Sequence, residues 1–190
     1  MLDDIRASAI RLSMADGYDS VTVSMIAQDV GISVRTFFNY YPNKDAALMG
    51  PEHERTTAFA DKVRSGQGPI LGDLEAFVAN HLASADVHRG LLRDLMLVAQ
   101  HIPHLNSMLT NRGNDIRREL ICALSVRMPT QAPAAWAFLA DLAISALRQA
   151  FESWVHNDTL TTREATAAAF DDLRHFIEVA AHLSRESDIA

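Results

Sequence analysis

Residues 22–48 read TVSMIAQDVGISVRTFFNYYPNKDAAL, and this stretch decides the fold of the amino-terminal part. Four apolar residues share one helical face at positions i, i+3, i+4 and i+7: Val23, Ile26, Ala27 and Val30. Gly31 breaks this pattern, and Ser33 caps a short second helix over residues 34–41 that Pro42 stops. A helix, a tight turn with glycine and a second helix are the sequence signature of a helix-turn-helix.

Helices flank this motif on both sides. The preceding helix has its apolar face at Ile5, Ala9 and Leu12. Gly17 is suited to a left-handed position at its end, and Thr22 can cap the helix that follows. Asn43 can cap a further helix, which we expect to span residues 44–64. The first fifty residues are therefore predicted to be a set of short, densely punctuated helices.

The helix over residues 34–41 is predicted to have two unlike faces. Ile32, Phe37 and Tyr41 can point inward and fix this helix against the preceding one. The opposite side is polar and aromatic and nearly free of acids: Val34, Arg35, Thr36, Phe38, Asn39 and Tyr40. Such a short helix suits the major groove of DNA, and the backbone N–H groups at its start can bind phosphates.

The rest of the chain is predicted to be helical as well. Residues 70–128 hold three amphipathic patterns, and residues 134–190 contain neither Gly nor Pro. Two long helices are expected there, joined at residues 157–159, with Thr161 and Glu164 as a capping box. Strand signals are almost absent. The sequence therefore predicts an all-α protein of about nine helices.

Composition excludes several classes of protein. With 48% hydrophobic residues the chain can bury a core, and its net charge of −7 argues against loose coating of nucleic acid. The single cysteine, Cys122, is expected to be a small core residue. The acidic start has no apolar signal segment and no stretch is long enough to cross a membrane, so we expect a cytoplasmic protein. No phosphate loop, nucleophile elbow or His-Glu-x-x-His motif supports an enzyme.

The amino-terminal quarter resembles the TetR family of bacterial transcription regulators. The resemblance rests on the helix with Ile5, Ala9, Leu12, Gly17 and Tyr18, on Ile26-Ala27 and Val30-Gly31-Ile32-Ser33, and on Thr36 to Asp45 and Leu48. It implies a helix-turn-helix DNA-binding domain in residues 1–48. It also implies a helical effector-binding and dimerisation domain in residues 49–190, a homodimer, a palindromic operator and an unidentified small-molecule effector.

The resemblance also implies roles for individual residues. Val34 and Arg35 would lie nearest the base edges, and Arg35 is the best candidate for reading a guanine. Thr36, Tyr40 and Lys44 would contact phosphates. The predicted DNA-binding residues are Ser24, Ser33, Val34, Arg35, Thr36, Phe38, Asn39, Tyr40 and Lys44. Phe38 stands where the family often has Tyr, so it either touches a thymine methyl group or packs. Residues 1–50 hold four Lys or Arg against six Asp, which predicts weak non-specific binding.

The carboxyl-terminal helices supply a candidate dimer interface rich in small residues: Leu142, Ala146, Ala150, Ala169, Leu173, Phe176, Ile177 and Ala180. An ordinary intrachain core would have the same pattern. The candidate ligand-binding residues are Phe77, His81, Met96, His101, Met108, Trp136 and Phe138. Core packing explains these residues equally well. His101 and His104 make a poor metal site because they have no acid or thiol pair beside them, so no metal and no cofactor are expected.

The resemblance implies a ligand-responsive transcriptional repressor that a small molecule releases from its operator. In this interpretation ligand binding moves the helix over residues 44–64 and changes the separation of two recognition helices. Two alternatives stay open. The chain could be an activator or co-regulator with a vestigial pocket, or a helical protein-interaction module that does not bind DNA.

Overall fold

The computed structural model describes residues 1–50 and 55–187, and within this part every regular element is helical. Side chains are described except at residues 55, 56, 87 and 180–187. The α-helices are α1 (Leu2–Asp16), α2 (Val23–Val30), α3 (Val34–Tyr40), α4 (Lys44–Met49), α5 (Arg55–Ser65), α6 (Ile70–Ala85), α7 (Arg89–Ala99), α8 (Pro103–Arg127), α9 (Pro133–His156) and α10 (Thr162–Ser187). Two 3₁₀ turns, Tyr18–Ser20 and Asp86–His88, complete the described elements. The predicted all-α class is confirmed, and none of these helices is both long and apolar enough to span a membrane.

The chain packs as two compact units. The first comprises the described residues of Met1–Glu54 and His88–Asn114, and the second those of Arg55–Val87 and Asp115–Ala190. Helix α7 and the first half of α8 thus pack with the amino-terminal helices, and α8 contributes to both units. The division at residue 48 expected from the sequence concerns function and stays a prediction.

The core of the first unit joins the helix-turn-helix to the helices around it. Ile5, Ile26, Phe37 and Leu48 are fully buried in one apolar cluster, to which Leu95 of α7 also belongs. The predicted inner faces of the short helices are therefore confirmed. Burying such a set of large apolar side chains is the dominant favourable term in the folding of this unit.

Local hydrogen bonds begin each short helix where the sequence predicts. The side chains of Thr22, Ser33 and Asn43 accept from the backbone N–H groups of Met25 (3.2 Å), Thr36 (3.0 Å) and Ala46 (2.8 Å). Each bond satisfies a donor that has no partner within its own helix, and such a cap contributes about 1 kcal/mol.

The turn between α2 and α3 depends on Gly31. Its φ of 77° and ψ of 32° lie in the left-handed region. The N–H groups of Gly31 and Ile32 donate to the carbonyls of Gln28 (3.1 Å) and Ala27 (2.9 Å), which is a Schellman ending. A side chain at Gly31 would be strained by this backbone conformation, so the glycine fixes the angle at which α3 leaves α2.

The second unit is built on long helices. α6, α9 and α10 pack on one another, and Trp154 and Phe170 are fully buried. The predicted capping box is confirmed, because Glu164 Oε2 accepts from the N–H of Thr161 (2.9 Å) and Thr161 Oγ1 accepts from the N–H of Glu164 (3.2 Å). This reciprocal pair lowers the pKa of Glu164 through the hydrogen bonds from Thr161.

Two local predictions are wrong. The helix expected over residues 44–64 ends at Met49, where Gly50 has a φ of 74°, and α5 begins separately at Arg55. Residues 51–54 lie outside the described part. Cys122 is exposed rather than buried, since Ala123 and Leu124 occupy the inner face of α8.

Candidate nucleic-acid interface

Helix α3, the predicted recognition helix, is fixed by its inner face. Phe37 is fully buried and Tyr41 nearly so, while Ile32 is half-buried against the same core. The Tyr41 ring lies 6.3 Å from the Phe37 ring, and burial raises the pKa of the Tyr41 hydroxyl. The two aromatic rings one helical turn apart hold α3 in one rotational position.

The outer face of α3 is open to solvent as the sequence predicts. It consists of Val34, Arg35, Thr36, Phe38, Asn39 and Tyr40, all exposed except the half-buried Thr36. Phe38 is 53% exposed. Its ring makes an edge-on contact with the buried Phe37 ring, with 5.6 Å between the ring centres and 88° between the ring planes. Three apolar or aromatic side chains in such an exposed row are suited to contact with thymine methyl groups and sugar edges.

Neighbouring carboxylates are engaged away from this outer face. Asp29 accepts hydrogen bonds from Ser8 (2.5 Å) and from Arg11, and these bonds lower the pKa of Asp29. Asp45 accepts from the hydroxyl of Tyr18 (2.5 Å). Arg35 makes no hydrogen bond or ion pair with any side chain in the described part of the chain. Its guanidinium group is therefore available to a ligand outside the chain.

The predicted phosphate contacts differ in how free their side chains are. Ser24 and Tyr40 are exposed, whereas the hydroxyl of Thr36 lies 2.8 Å from that of Ser33. Lys44 Nζ donates to the carbonyls of Tyr18 (2.7 Å) and Val21 (3.0 Å) and lies 3.8 Å from the centre of the Tyr18 ring. An ammonium group has three hydrogens, so one remains for the predicted phosphate contact.

The candidate ligand-binding residues fall into both compact units. In the second unit Phe77 is buried, His81 and Trp136 are half-buried, and Phe138 is exposed. In the first unit Met96 and Met108 are half-buried and His101 is exposed. None of them lines the groove of about 800 Å³ between α1, α2 and α7, nor the smaller groove of about 210 Å³ between α9 and α10.

The candidate dimer interface divides into a buried and an exposed part. Ala146, Ala150 and Ala169 are buried within the second unit, while Leu142 and Leu173 are half-buried along the groove between α9 and α10. Phe176 and Ile177 are exposed on α10, Phe176 to 66%. The side chain of Ala180 lies outside the described residues. The packing of α9 on α10 therefore accounts for the small residues but not for the exposed Phe176 and Ile177.

The two histidines of the His101-Ile-Pro-His104 segment take different roles. Nδ1 of His101 lies 3.4 Å from the carbonyl of Leu97. Nε2 of His104 lies 2.8 Å from the Tyr18 hydroxyl and 3.6 Å from Asp45. No group of three metal-ligating side chains occurs in the part of the chain that the structure describes.

Sequence reasoning missed the residues that support the interface from behind. Arg6 of α1 is buried and donates to the carbonyl of Leu48 (3.2 Å). Arg112 of α8 donates to the carbonyls of Met49 (2.9 Å) and Gly50 (3.3 Å). These partners are more than forty residues apart in the chain, so no local spacing reveals them; only an arginine on the apolar side of α1 hints at such a role.

Comparisons with known proteins agree with this geometry. Residues 5–48 match the family described as bacterial regulatory proteins, tetR family. The HTH-type transcriptional regulator TcmR of Streptomyces glaucescens is 26% identical, over 80% of this chain and 79% of that protein. The TetR transcriptional regulator from Nitrosomonas europaea is similar in fold, with a TM-score of 0.60 at 14% identity, covering 92% of this chain and 97% of that chain. AmtR of Mycobacterium smegmatis has a TM-score of 0.52 at 18% identity, covering 88% of this chain and 83% of that chain.

Proposed function

We propose that this chain, whose residues 5–48 match the tetR family of bacterial regulatory proteins, is a repressor that a small molecule releases from a palindromic operator. The observation that carries the DNA-binding part is the outer face of α3. It is exposed, it holds an arginine that pairs with no side chain among the described residues, and the carboxylates near it are engaged elsewhere. A repressor acts by occupying promoter DNA, and this face supplies the chemistry for doing so.

Each side chain of the outer face has a proposed role on DNA. Arg35 donates to O6 and N7 of a guanine, because its planar fork matches that pair of acceptors. Val34 and Phe38 lie against thymine methyl groups. Contacts to phosphates come from the start of α3 and from neighbouring hydroxyl, amide and ammonium groups: Ser24, Ser33, Thr36, Asn39, Tyr40 and Lys44.

Two copies of the chain are needed for a palindromic site. We place the dimer interface on α9 and α10, where Phe176 and Ile177 are exposed beside the groove lined by Leu142 and Leu173. An exposed aromatic side chain next to a groove is typical of an anchor at a protein interface. A two-fold dimer would present two α3 helices about 34 Å apart, one turn of DNA.

The effector site is proposed around an aromatic cluster in the second unit. The His81 ring lies 4.3 Å from the Phe77 ring and 4.8 Å from the Phe59 ring, and its Nδ1 is 2.9 Å from the carbonyl of Phe77. Aromatic walls with one polar group are typical of small-molecule pockets, and they favour a flat apolar ligand. Release requires the ligand to bind the two states of the repressor differently, which is typically worth about 1–3 kcal/mol.

The DNA-binding part is tested with a duplex selected by the wild-type protein from a random library. Arg35→Ala should weaken binding to this duplex by about 1–3 kcal/mol and relax the preference at one base pair in each half-site. Arg118→Ala removes the same charge from an exposed position on α8 and should leave binding unchanged. Unchanged binding by Arg35→Ala at low salt would contradict the proposed orientation of α3.

The effector part is tested by a thermal-shift screen of flat aromatic compounds. A compound that binds at the cluster should raise the Tm of the wild-type protein, weaken its binding to the selected duplex, and lose both effects in His81→Ala. A compound that binds His81-dependently yet leaves the affinity for DNA unchanged would contradict ligand-controlled release.

A further inference from the structure

We propose that α8 holds α4 at both of its ends, and that Arg112 and His104 are thereby positioning residues for the recognition helix. Neither residue belongs to the outer face of α3. The inference rests on the DNA-binding function proposed above and adds the contacts that position the helix proposed to read DNA. All of the contacts that carry it lie within the first compact unit.

The carboxyl end of α4 is held by two arginines. Arg6 donates to the carbonyl of Leu48, and Arg112 donates to those of Met49 and Gly50. The last carbonyls of a helix have no partner within it and carry its negative dipole end, so cations bind there favourably. Arg112 is thus bonded to the end of a helix more than sixty residues earlier in the chain.

This end has little freedom to adjust. Burial, and next the positive charge of Arg112, lower the pKa of the Arg6 guanidinium group. A Cβ atom at Gly50 would meet Cζ and Nε of Arg6 at 2.9 Å, so the glycine is required for this approach. The positive φ of Gly50 leads to the same requirement.

The amino end of α4 is held through Tyr18. The single hydroxyl hydrogen of Tyr18 goes to Asp45 of α4, and His104 Nε2 lies 2.8 Å from the same hydroxyl oxygen. Nε2 of His104 must therefore carry a hydrogen and donate it to Tyr18. His104 is the second residue of α8, so the start of α8 is bonded, through one tyrosine, to the start of α4.

The spacing along α8 matches this double attachment. His104 and Arg112 are eight residues apart, which is about 12 Å along a helix, and they meet the two ends of a six-residue helix in the same order. Ala47 and Leu48 of α4 are fully buried in the cluster that contains Phe37 of α3. A displacement of α8 would therefore move α4 and, through this core, the outer face of α3.

The first experiment compares Arg112→Met with Arg118→Met, the matched charge loss on the same helix. In the free protein, amide hydrogen exchange of residues 44–49 should be at least about 5-fold faster in Arg112→Met and unchanged in Arg118→Met. This measurement needs no DNA, so it tests the holding of α4 even if the proposed DNA-binding function fails. Equal exchange in the two variants would overturn the proposal.

The second experiment measures binding to the selected duplex. Arg112→Met should weaken it roughly 5- to 30-fold, Arg112→Lys should recover part of the loss, and His104→Gln should bind better than His104→Ala. The salt dependence of binding should stay that of the wild type, because no phosphate contact is lost. A shallower salt dependence would make Arg112 a phosphate contact and overturn the proposal, as would wild-type affinity.

Discussion

The corner of α2 and α3 and the pair of α9 and α10 both expose aromatic side chains, but they are built by different signals. In the corner, caps at Thr22 and Ser33 and the turn at Gly31 fix the backbone within fifteen residues. In the pair, which side of each helix is buried depends on packing against α6 and, in our proposal, on a second copy of the chain. Local signals therefore determine the proposed DNA-binding face, whereas the proposed partner surface depends on contacts distant in the sequence.

The greatest loss of stability is expected when a buried residue of α3, rather than an exposed one, is replaced. Phe37→Ala removes a fully buried ring and should lower the free energy of unfolding by about 3–5 kcal/mol. Phe38→Ala, its exposed neighbour, should lower it by about 0.5 kcal/mol or less. Urea denaturation followed by circular dichroism measures both. Similar losses in the two variants would mean that the corner is not divided into an inner and an outer face.

The next effect concerns the α9–α10 pair. Phe176→Glu places a charge at the exposed anchor of the proposed interface and should raise the Kd of the dimer at least about 30-fold, or 2 kcal/mol. His175→Glu changes an exposed residue on a different face of the same turn and serves as the control. Sedimentation equilibrium distinguishes them. An unchanged mass for Phe176→Glu would mean that the dimer interface does not lie on α10.

A smaller effect tests whether Tyr40 of α3 contacts a phosphate or a base. Tyr40→Phe removes one hydroxyl group and should weaken every duplex by a similar factor, about 2- to 10-fold, since phosphates carry no sequence. Titration of the selected duplex and of single-base variants checks this. A change in base preference would mean that Tyr40 contacts a base rather than a phosphate.

The smallest effect concerns the bond between α1 and α2. The hydrogen bonds from Ser8 and Arg11 lower the pKa of Asp29, so their stabilisation is full above the unfolded-state pKa of about 3.9 and is lost as the pH falls through the lower folded-state pKa. Asp29→Asn should cost less than about 1 kcal/mol at neutral pH. The gap in free energy of unfolding between the two proteins should close below about pH 4, and a constant gap would contradict the assignment.

Local signals made much of the fold predictable. The caps at Ser33, Asn43 and Thr161 and the inward turn of Phe37 and Tyr41 follow from side-chain chemistry within a few residues, and all of them are found. The break after Met49 was missed, although Gly50 followed by a proline is a signal for the end of a helix.

The features that the sequence could not predict depend on contacts between residues that are far apart in the chain. Lys44 has the spacing of a phosphate contact, yet its ammonium group is bonded to Tyr18 and Val21, more than twenty residues away. The alanines of α9 fit a dimer interface and an internal contact equally well, and only packing decides between them. The predicted effector residues fall into two units because hydrophobic periodicity identifies the apolar face of a helix but not the other helix that packs against this face.

The exposed Cys122 gives this molecule a built-in reporter. It is the sole thiol of the chain, and it lies on the same helix as Arg112 and His104. A spin label can therefore be attached at one defined site without removing any other cysteine. In a two-fold assembly the pair of labels yields a single distance, whose distribution with and without DNA would record the travel of α8 directly.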